Sequence, residues 1–441
     1  MARKRKNVRL GVYLNSRHVG WLTQETSGAI DFRYAPEWLA WDQTMPISLS
    51  LPLREDRYIG APVIAVFDNL LPDNQGIRTR VAERIGAEGT DAISMLAALG
   101  RDCVGALQFL PDEQEPGPAG VVEGTPISDA DIAEILRNLA SNPLGVDKAK
   151  DFRISIAGAQ EKTALLKRRG RWQRPKGTTP TTHIFKPQIG KLPNGLDLSN
   201  SVENEYLCLK LTEAFGIPTA SAEMETFEDK RVLVVERFDR LWTSDKRLLR
   251  VPQEDMCQAL GTPWTLKYES EGGPGIQKIE YLLGASDEPT LDRLNFLKAN
   301  LVFWLLGATD GHAKNFSVFL SPGGGFRLTP LYDVISAQPS FDAHHVRHNQ
   351  FRLAMAVGKS RNYAIKGVNG RHFVESIELA GLGRRNAVGL IEELIEASPQ
   401  AIHHVVSSLP ADFPGDIAAS IVRGIEGRVA QLSKDREKAF S

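Results

Sequence analysis

The stretch from Leu301 to Asp333 constrains this chain more than any other. It begins LVFWLLGATDGHAKNF, apolar up to Gly307 and largely polar from Thr309 to Asn315. Leu294, Leu297, Leu301, Phe303, Leu305 and Leu306 leave few polar gaps, so the helix they form must be central and buried on nearly all sides. Thr290 is the expected cap at its start. The loop after Gly307 carries Asp310 and, five residues on, Asn315. A hairpin around a triple glycine is predicted next, with Asp333 at the end of its second strand. That geometry would bring Asp333 close to Asn315.

With 441 residues the chain can build two or three domains and a large core. Its formal net charge of -1 excludes bulk attraction to nucleic acid or membrane. The basic run Arg3-Lys4-Arg5-Lys6 reads as a solvated terminus. Three cysteines, Cys103, Cys208 and Cys257, are odd in number and widely spaced. They exclude a complete intrachain disulfide framework and show no zinc-ligand spacing, which points to a reducing compartment. No apolar run is long enough to span a bilayer, so a cytoplasmic protein is expected.

Along the chain, Val8 to Thr23 alternates as two strands around a turn at Asn15, Ser16 and Arg17. Helices are expected over 63–71 and 77–85, broken by Pro72-Asp73-Asn74. The segment from Pro111 to Gly120 reads as a linker, and Ser128 with Asp131 as a capping box. Strands are predicted at 153–156, 162–167, 183–186 and 231–235, and a helix at 204–215. Helical periodicity dominates after residue 250, including 385–396 and 418–432. The expected divisions are a small α+β module (1–120), a β-rich lobe (121–245) and a mostly helical lobe (246–441).

Phosphoryl transfer asks a protein for positioning, a proton acceptor and neutralised phosphate charge, and little else. Asp310 suits the base and Asn315 with Asp333 a magnesium site, since magnesium takes hard oxygen ligands. Upstream, Ser155 to Lys162 contains small residues that let backbone N–H groups approach phosphates. Its one glycine matches no Walker or G-x-G-x-x-G pattern, and alone it reads as a hairpin turn. Lys186 ends a half-buried strand and can face phosphate; Glu203 and Glu205 are equal candidates to pair with it. Glu236-Arg237-Phe238-Asp239 leaves an apolar strand where a kinase has its adenine-binding hinge.

These segments together resemble the HipA family of bacterial toxin–antitoxin kinases. The resemblance rests on 151–166, 181–186, 235–239, 252–256, 267–270 and 307–316, and covers essentially the whole chain. It implies a bilobal protein-kinase-like α+β fold, a β-rich N-terminal lobe carrying an added α+β module, and a helical C-terminal lobe. It implies ATP and Mg2+ as cofactors. Asp310 would be the catalytic base, with Asn315 and Asp333 on the metal. Lys186 and the loop Ala157, Gly158, Ala159, Gln160, Glu161 and Lys162 would meet the phosphates. Glu236, Arg237 and Phe238 would meet adenine; His312, Ala313, Lys314, Tyr332, Val334 and Ile335 would line the nucleotide.

Ser155 matches the family's autophosphorylated serine. A phosphate there adds about -1.5 to -2 charge and would expel the loop. The implied partners are a HipB-type helix-turn-helix antitoxin, operator DNA through that complex, and an aminoacyl-tRNA synthetase substrate, notably glutamyl-tRNA synthetase. Arg384–Arg385 is a weak candidate for DNA contact. Asp310 follows Ala-Thr rather than His-Arg, and Asp333 precedes Val-Ile rather than Phe-Gly, so activation-loop rules of eukaryotic kinases do not transfer. Two other readings keep the fold: a small-molecule kinase, and a co-repressor scaffold without activity.

Overall fold

The computed structural model describes residues 7–112, 114–141, 143–145, 154–158, 160–192 and 196–439. The basic run Arg3–Lys6 and the start of the strand expected at 153–156, with Asp151 and Phe152 before it, lie outside the described residues. The chain divides into two compact units. The first holds the chain up to Pro187, Glu225–Thr265 and Ser317–Phe326; the second holds Gln188–Met224, Leu266–Phe316 and the chain from Arg327 onward. The sequence-based divisions at 120 and 245 both fall inside the first unit.

The first unit is built mainly on two antiparallel sheets, beside smaller strand pairings at Arg240–Trp242 with Leu248–Arg250 and at Gln253–Asp255 with Ser317–Leu320. In one, the strands run in the order Tyr58–Ile59, Ile30–Tyr34, Arg17–Gln24, Val8–Leu14, Leu107–Pro111. Asn15 and Ser16 both adopt left-handed backbone (φ 46 and 68), which matches a two-residue hairpin turn to the twist of its strands. Phe32, Phe67 and Phe109 meet beneath this sheet with centroids 5.5 Å apart in each successive pair. The 111–120 segment is tied into the unit, because Leu248 N–H donates to Gly120 C=O.

The other sheet runs Ala222–Phe227, Lys230–Glu236, His183–Pro187, Thr163–Arg168, Arg171–Pro175, Gly124–Pro126. Helix Asp129–Arg137 lays Ile132, Ala133 and Leu136 on its Leu165, Phe185, Val232 and Val234. Ser128 and Asp131 form the expected capping box at the start of that helix. Ile154 to Ile156 do not form the expected strand. Thr163–Arg168 is already paired on both sides, by His183–Pro187 and Arg171–Pro175, so this part of the sheet has no vacant edge. Ser155 N–H instead donates to Asp102 C=O.

The second unit is mainly helical: Ser201–Ala214, Ile276–Leu283, Pro289–Leu306, Gly370–Leu379, Arg384–Ser407 and Gly415–Ala439. Pro289–Leu306 is buried continuously from Phe296 to Leu306, as its sequence demands. Thr290 does not cap it. Pro289 takes the first helical position, where its missing N–H costs nothing, and Glu288 becomes the residue before it. Among the described residues, no helix is long and apolar enough to cross a membrane. Cys103, Cys208 and Cys257 are buried and not in disulfides, and burial pushes the Cys103 thiol up to about 12.

Candidate active site

In the second unit the site begins where the central helix ends. Gly307 closes the helix in left-handed backbone (φ 67), its N–H shared by Phe303 and Trp304 C=O. Gly311 lies flat on the helix, where a Cβ would come within 2.3 Å of the Phe303 ring, so only glycine fits. Asp310 therefore stands at a fixed point, its side chain half exposed. Tyr268 Oη donates to Asp310 Oδ1 at 2.5 Å, and His312 Nε2 lies 3.9 Å from the same oxygen. The Tyr268 and His312 rings meet edge to face, 5.0 Å apart.

Ala313–Asn315 forms one short 3-10 turn after His312. Asn315 Nδ2 donates to Asp310 C=O at 2.7 Å, which turns its amide oxygen the opposite way. That oxygen is the atom a hard cation would take. Tyr332 Oη donates to Lys314 C=O at 2.8 Å and draws the segment before Asp333 against this turn. Asp333 does not end a strand as expected. The second strand stops at Leu328, and Asp333 lies beyond it in left-handed backbone, φ 59. An aspartate held there is a sparsely populated conformation of the kind that clusters at functional sites. Val334 is buried, Ile335 half-buried, and Ser336 bonds Asn204 through both backbone groups.

Among the described residues, no three His, Cys, Asp or Glu side chains gather as a metal cage. A magnesium ion held jointly with substrate phosphates needs only one or two protein carboxylates, so the Asn315 oxygen and Asp333 carboxylate fit it.

In the first unit the loop after Ser155 is seated on the N-terminal module. Ser155 is fully buried, and its Oγ donates to Leu70 C=O at 2.8 Å. Gly158 pairs with Pro72 in an isolated parallel bridge, and Asp73 N–H donates to Gly158 C=O at 3.1 Å. Gly158 has φ 108, a backbone conformation that side-chain-bearing residues rarely adopt, so any other residue would be strained there. Lys162 Nζ donates to Ala157 C=O at 2.6 Å, Gln160 Nε2 to Pro187 C=O at 3.0 Å, and Glu161 pairs with Arg80 at 2.5 Å. Ala159 lies outside the described residues.

Lys186 is buried in strand His183–Pro187, opposite Leu233. Glu203 and Glu205 are buried near the start of helix Ser201–Ala214, and Glu203 accepts from Gln188 Nε2 at 2.7 Å. Glu236 pairs with His183, and the Phe238 ring meets Phe319 edge-on at 5.7 Å.

Arg237 donates its backbone N–H to Thr182 C=O, and its guanidinium is fully buried in a charge network. Arg237, Arg240 and Arg250 converge on Asp102, Asp239 pairs with Arg237 and Arg240, and their other N–H groups donate to the Cys103, Thr181 and Gly105 carbonyls and the Thr181 hydroxyl. Burial alone would raise the Asp102 carboxyl, but Arg240, Arg237 and Arg250 overcome it and hold the group well below the usual carboxylate range. Asp102 thus grips the strand exit with its side chain and Ser155 with its carbonyl.

Sequence reading gave no role to Tyr268, Asp102 or Arg80. Tyr268 lies in a quoted segment, yet nothing local reveals a bond reaching 42 residues along the chain.

Comparison with known proteins identifies relatives of the chain. The family models described as HipA-like C-terminal domain and HipA N-terminal domain match residues 154–402 and 10–110. The Sinorhizobium fredii protein Y4mE is 34% identical over 404 residues, covering 90% of this chain and 91% of its own. The serine/threonine-protein kinase toxin HipA of Shewanella oneidensis is 25% identical over 419 residues, covering 92% and 91%. A solved structure of HipA from that organism, with HipB and operator DNA, shares the fold with a TM-score of 0.81 at 24% identity, over 96% of this chain and 97% of that one.

Proposed function

Because the chain belongs to the HipA family of kinase toxins, we propose that it transfers the γ-phosphoryl group of ATP to a serine or threonine of a protein. The observation that carries this reading is the Asp310–Asn315 turn. It offers one carboxylate, oriented by Tyr268, and one amide oxygen directed away from it. Asp310 accepts the proton of the acceptor hydroxyl as that oxygen attacks the γ-phosphorus and ADP leaves. His312, Ala313 and Lys314 hold the turn, and Tyr332 with Val334 and Ile335 positions Asp333. Magnesium bound by Asn315 and Asp333 would neutralise phosphate charge. Lys186 and the 157–162 loop take the ATP phosphates. Glu236 and Phe238 meet adenine through their backbones, and Arg237 fixes their place from beneath.

The substrate class is an aminoacyl-tRNA synthetase, glutamyl-tRNA synthetase first, so that phosphorylation arrests growth in the cytoplasm. The family relationship supports this, as it supports a HipB-type antitoxin and operator DNA as partners. Ser155 is the site of self-phosphorylation. Its hydroxyl is buried and bonded to Leu70, so the loop must leave its seat before Ser155 reacts. A phosphate of about -1.5 to -2 charge does not return to a site that cradles other phosphates.

The test is brief induction of the wild-type chain and of Asp310→Asn, with mass spectrometry of cellular phosphoproteins. A synthetase phosphopeptide that appears only with wild type supports the assignment. Identical phosphoproteomes, with growth arrest in both, would reduce the chain to a scaffold.

A further inference from the structure

The strand pair Thr163–Arg168 and Arg171–Pro175 carries charge that the kinase reading does not use. From Lys167 to Lys176, six of ten residues are Lys or Arg. The turn between the strands is Arg169–Gly170, both left-handed at φ 51 and 74. Such a turn favours Asn, Asp or Gly at its first position, and arginine there is a strained choice. Arg168 and Arg171 stand directly opposite each other in register, and like charges so placed destabilise a strand pair.

Among the described residues, ion pairing does not relieve that repulsion: the Arg169 and Arg171 side chains make no hydrogen bond or ion pair, and the Arg168 side chain makes one bond, to Val122 C=O. The neighbouring Lys167 is different: it lies over the Trp172 ring and 3.7 Å from Glu225. Three guanidinium-bearing side chains, with Gln173 and Pro126, line a recess of about 460 Å³ in which no described residue is acidic.

We infer that this hairpin is a binding surface for the sugar–phosphate backbone of a nucleic acid. Arginine presents a planar fork that matches phosphate oxygens two at a time, and a phosphodiester between Arg168 and Arg171 would turn their repulsion into shared attraction. A protein partner is the weaker fit. Apart from Pro126 the lining is polar, with no apolar pocket to anchor a side chain. The near-zero net charge of the chain concentrates the attraction here rather than over the whole surface. The surface lies within the first unit and needs neither ATP nor the catalytic loop.

Fluorescence anisotropy of the full chain with a labelled DNA duplex, a labelled single-stranded RNA and polyglutamate tests the assignment. Two variants are compared with wild type. One is Arg168→Gln with Arg169→Gln and Arg171→Gln. The other, Arg169→Gly with Arg171→Gln, keeps the Arg168 bond to Val122 and relaxes the turn, so it guards against a folding defect. The triple variant is expected to bind nucleic acid at least tenfold more weakly at low salt. Its log–log salt slope should be shallower by about 2.7 on duplex DNA, or about 2.1 on single strands. The double variant should show about two thirds of that change. The polymer that shows the loss is the source of the phosphates, and transfer of label from ATP should be unchanged in both variants. Equal binding by wild type and variants, or binding of polyglutamate alone, overturns the inference.

Discussion

The proposed catalytic loop and the proposed phosphate loop are secured over very different distances along the chain. Asn315 bonds Asp310 five residues away, and Tyr332 bonds Lys314 across 18. Ser155, by contrast, bonds Leu70 across 85 residues, and Glu161 pairs with Arg80 across 81. The first loop continues a buried helix and cannot move without disturbing that helix end. The second is an irregular segment seated by a few bonds on a separate part of the first unit. One is therefore a fixed instrument, and the other a removable part. The self-inactivation proposed above would need that division.

The largest effect that tests the comparison lies in the fixed loop. Asp310→Asn should lower phosphoryl transfer by about 10² to 10⁴-fold with little change in stability, measured as initial rates with labelled ATP beside an unfolding curve. Next comes the network under the strand exit. Asp102→Ala leaves three buried arginines without their shared carboxylate and should destabilise the first unit by about 3–5 kcal/mol in denaturant titration. Asp102→Asn, which retains acceptors, should cost less.

Tyr268→Phe removes one bond to Asp310 and keeps the ring against His312. Loss of about 1 kcal/mol of orientation predicts a roughly fivefold to tenfold fall in kcat with ATP KM unchanged.

Glu254 provides a pH test away from both loops. Burial pushes its carboxyl up to about 8, although Leu49 N–H and Ser48 oppose the shift. The unfolded chain releases that proton near about 4.3. Between these values the folded form binds the extra proton, so this group's contribution to stability falls as pH rises, by up to about 1.4 kcal/mol per unit. Glu254→Gln should flatten that decline in urea titrations from pH 5 to pH 8; an unchanged slope would place the proton elsewhere.

The smallest effect sharpens the idea of a removable part. Arg80→Ala breaks one exposed ion pair worth about 0–1 kcal/mol. Hydrogen exchange in the 154–162 segment should quicken by up to about fivefold without nucleotide, and exchange in 307–316 should not change.

The same contrast explains what the sequence could and could not reveal. The helix over Pro289–Leu306, its glycine stop and the Asp310–Asn315 spacing are local, and a run of buried apolar residues specifies them directly. Capping at Ser128 and the Asn15–Ser16 turn were legible for the same reason. Asp333 was misplaced because a triple glycine suggests a long hairpin, whereas the strand stops at Leu328. The segment 153–156 read as a strand because its alternation is that of a strand. Only the three-dimensional arrangement shows that the neighbouring sheet positions are taken. Asp102, Leu70 and Arg80 carry no local mark of their task, since the partners described above lie 53 or more residues away.

The most direct test of a fixed catalytic loop acting on a removable phosphate loop is the mass of the purified chain after incubation with ATP and magnesium. Wild type should gain one phosphoryl group, mapping to Ser155, while Asp310→Asn gains none. A wild type that stays unmodified while it phosphorylates other proteins, or an equal gain in Asp310→Asn, would contradict the account.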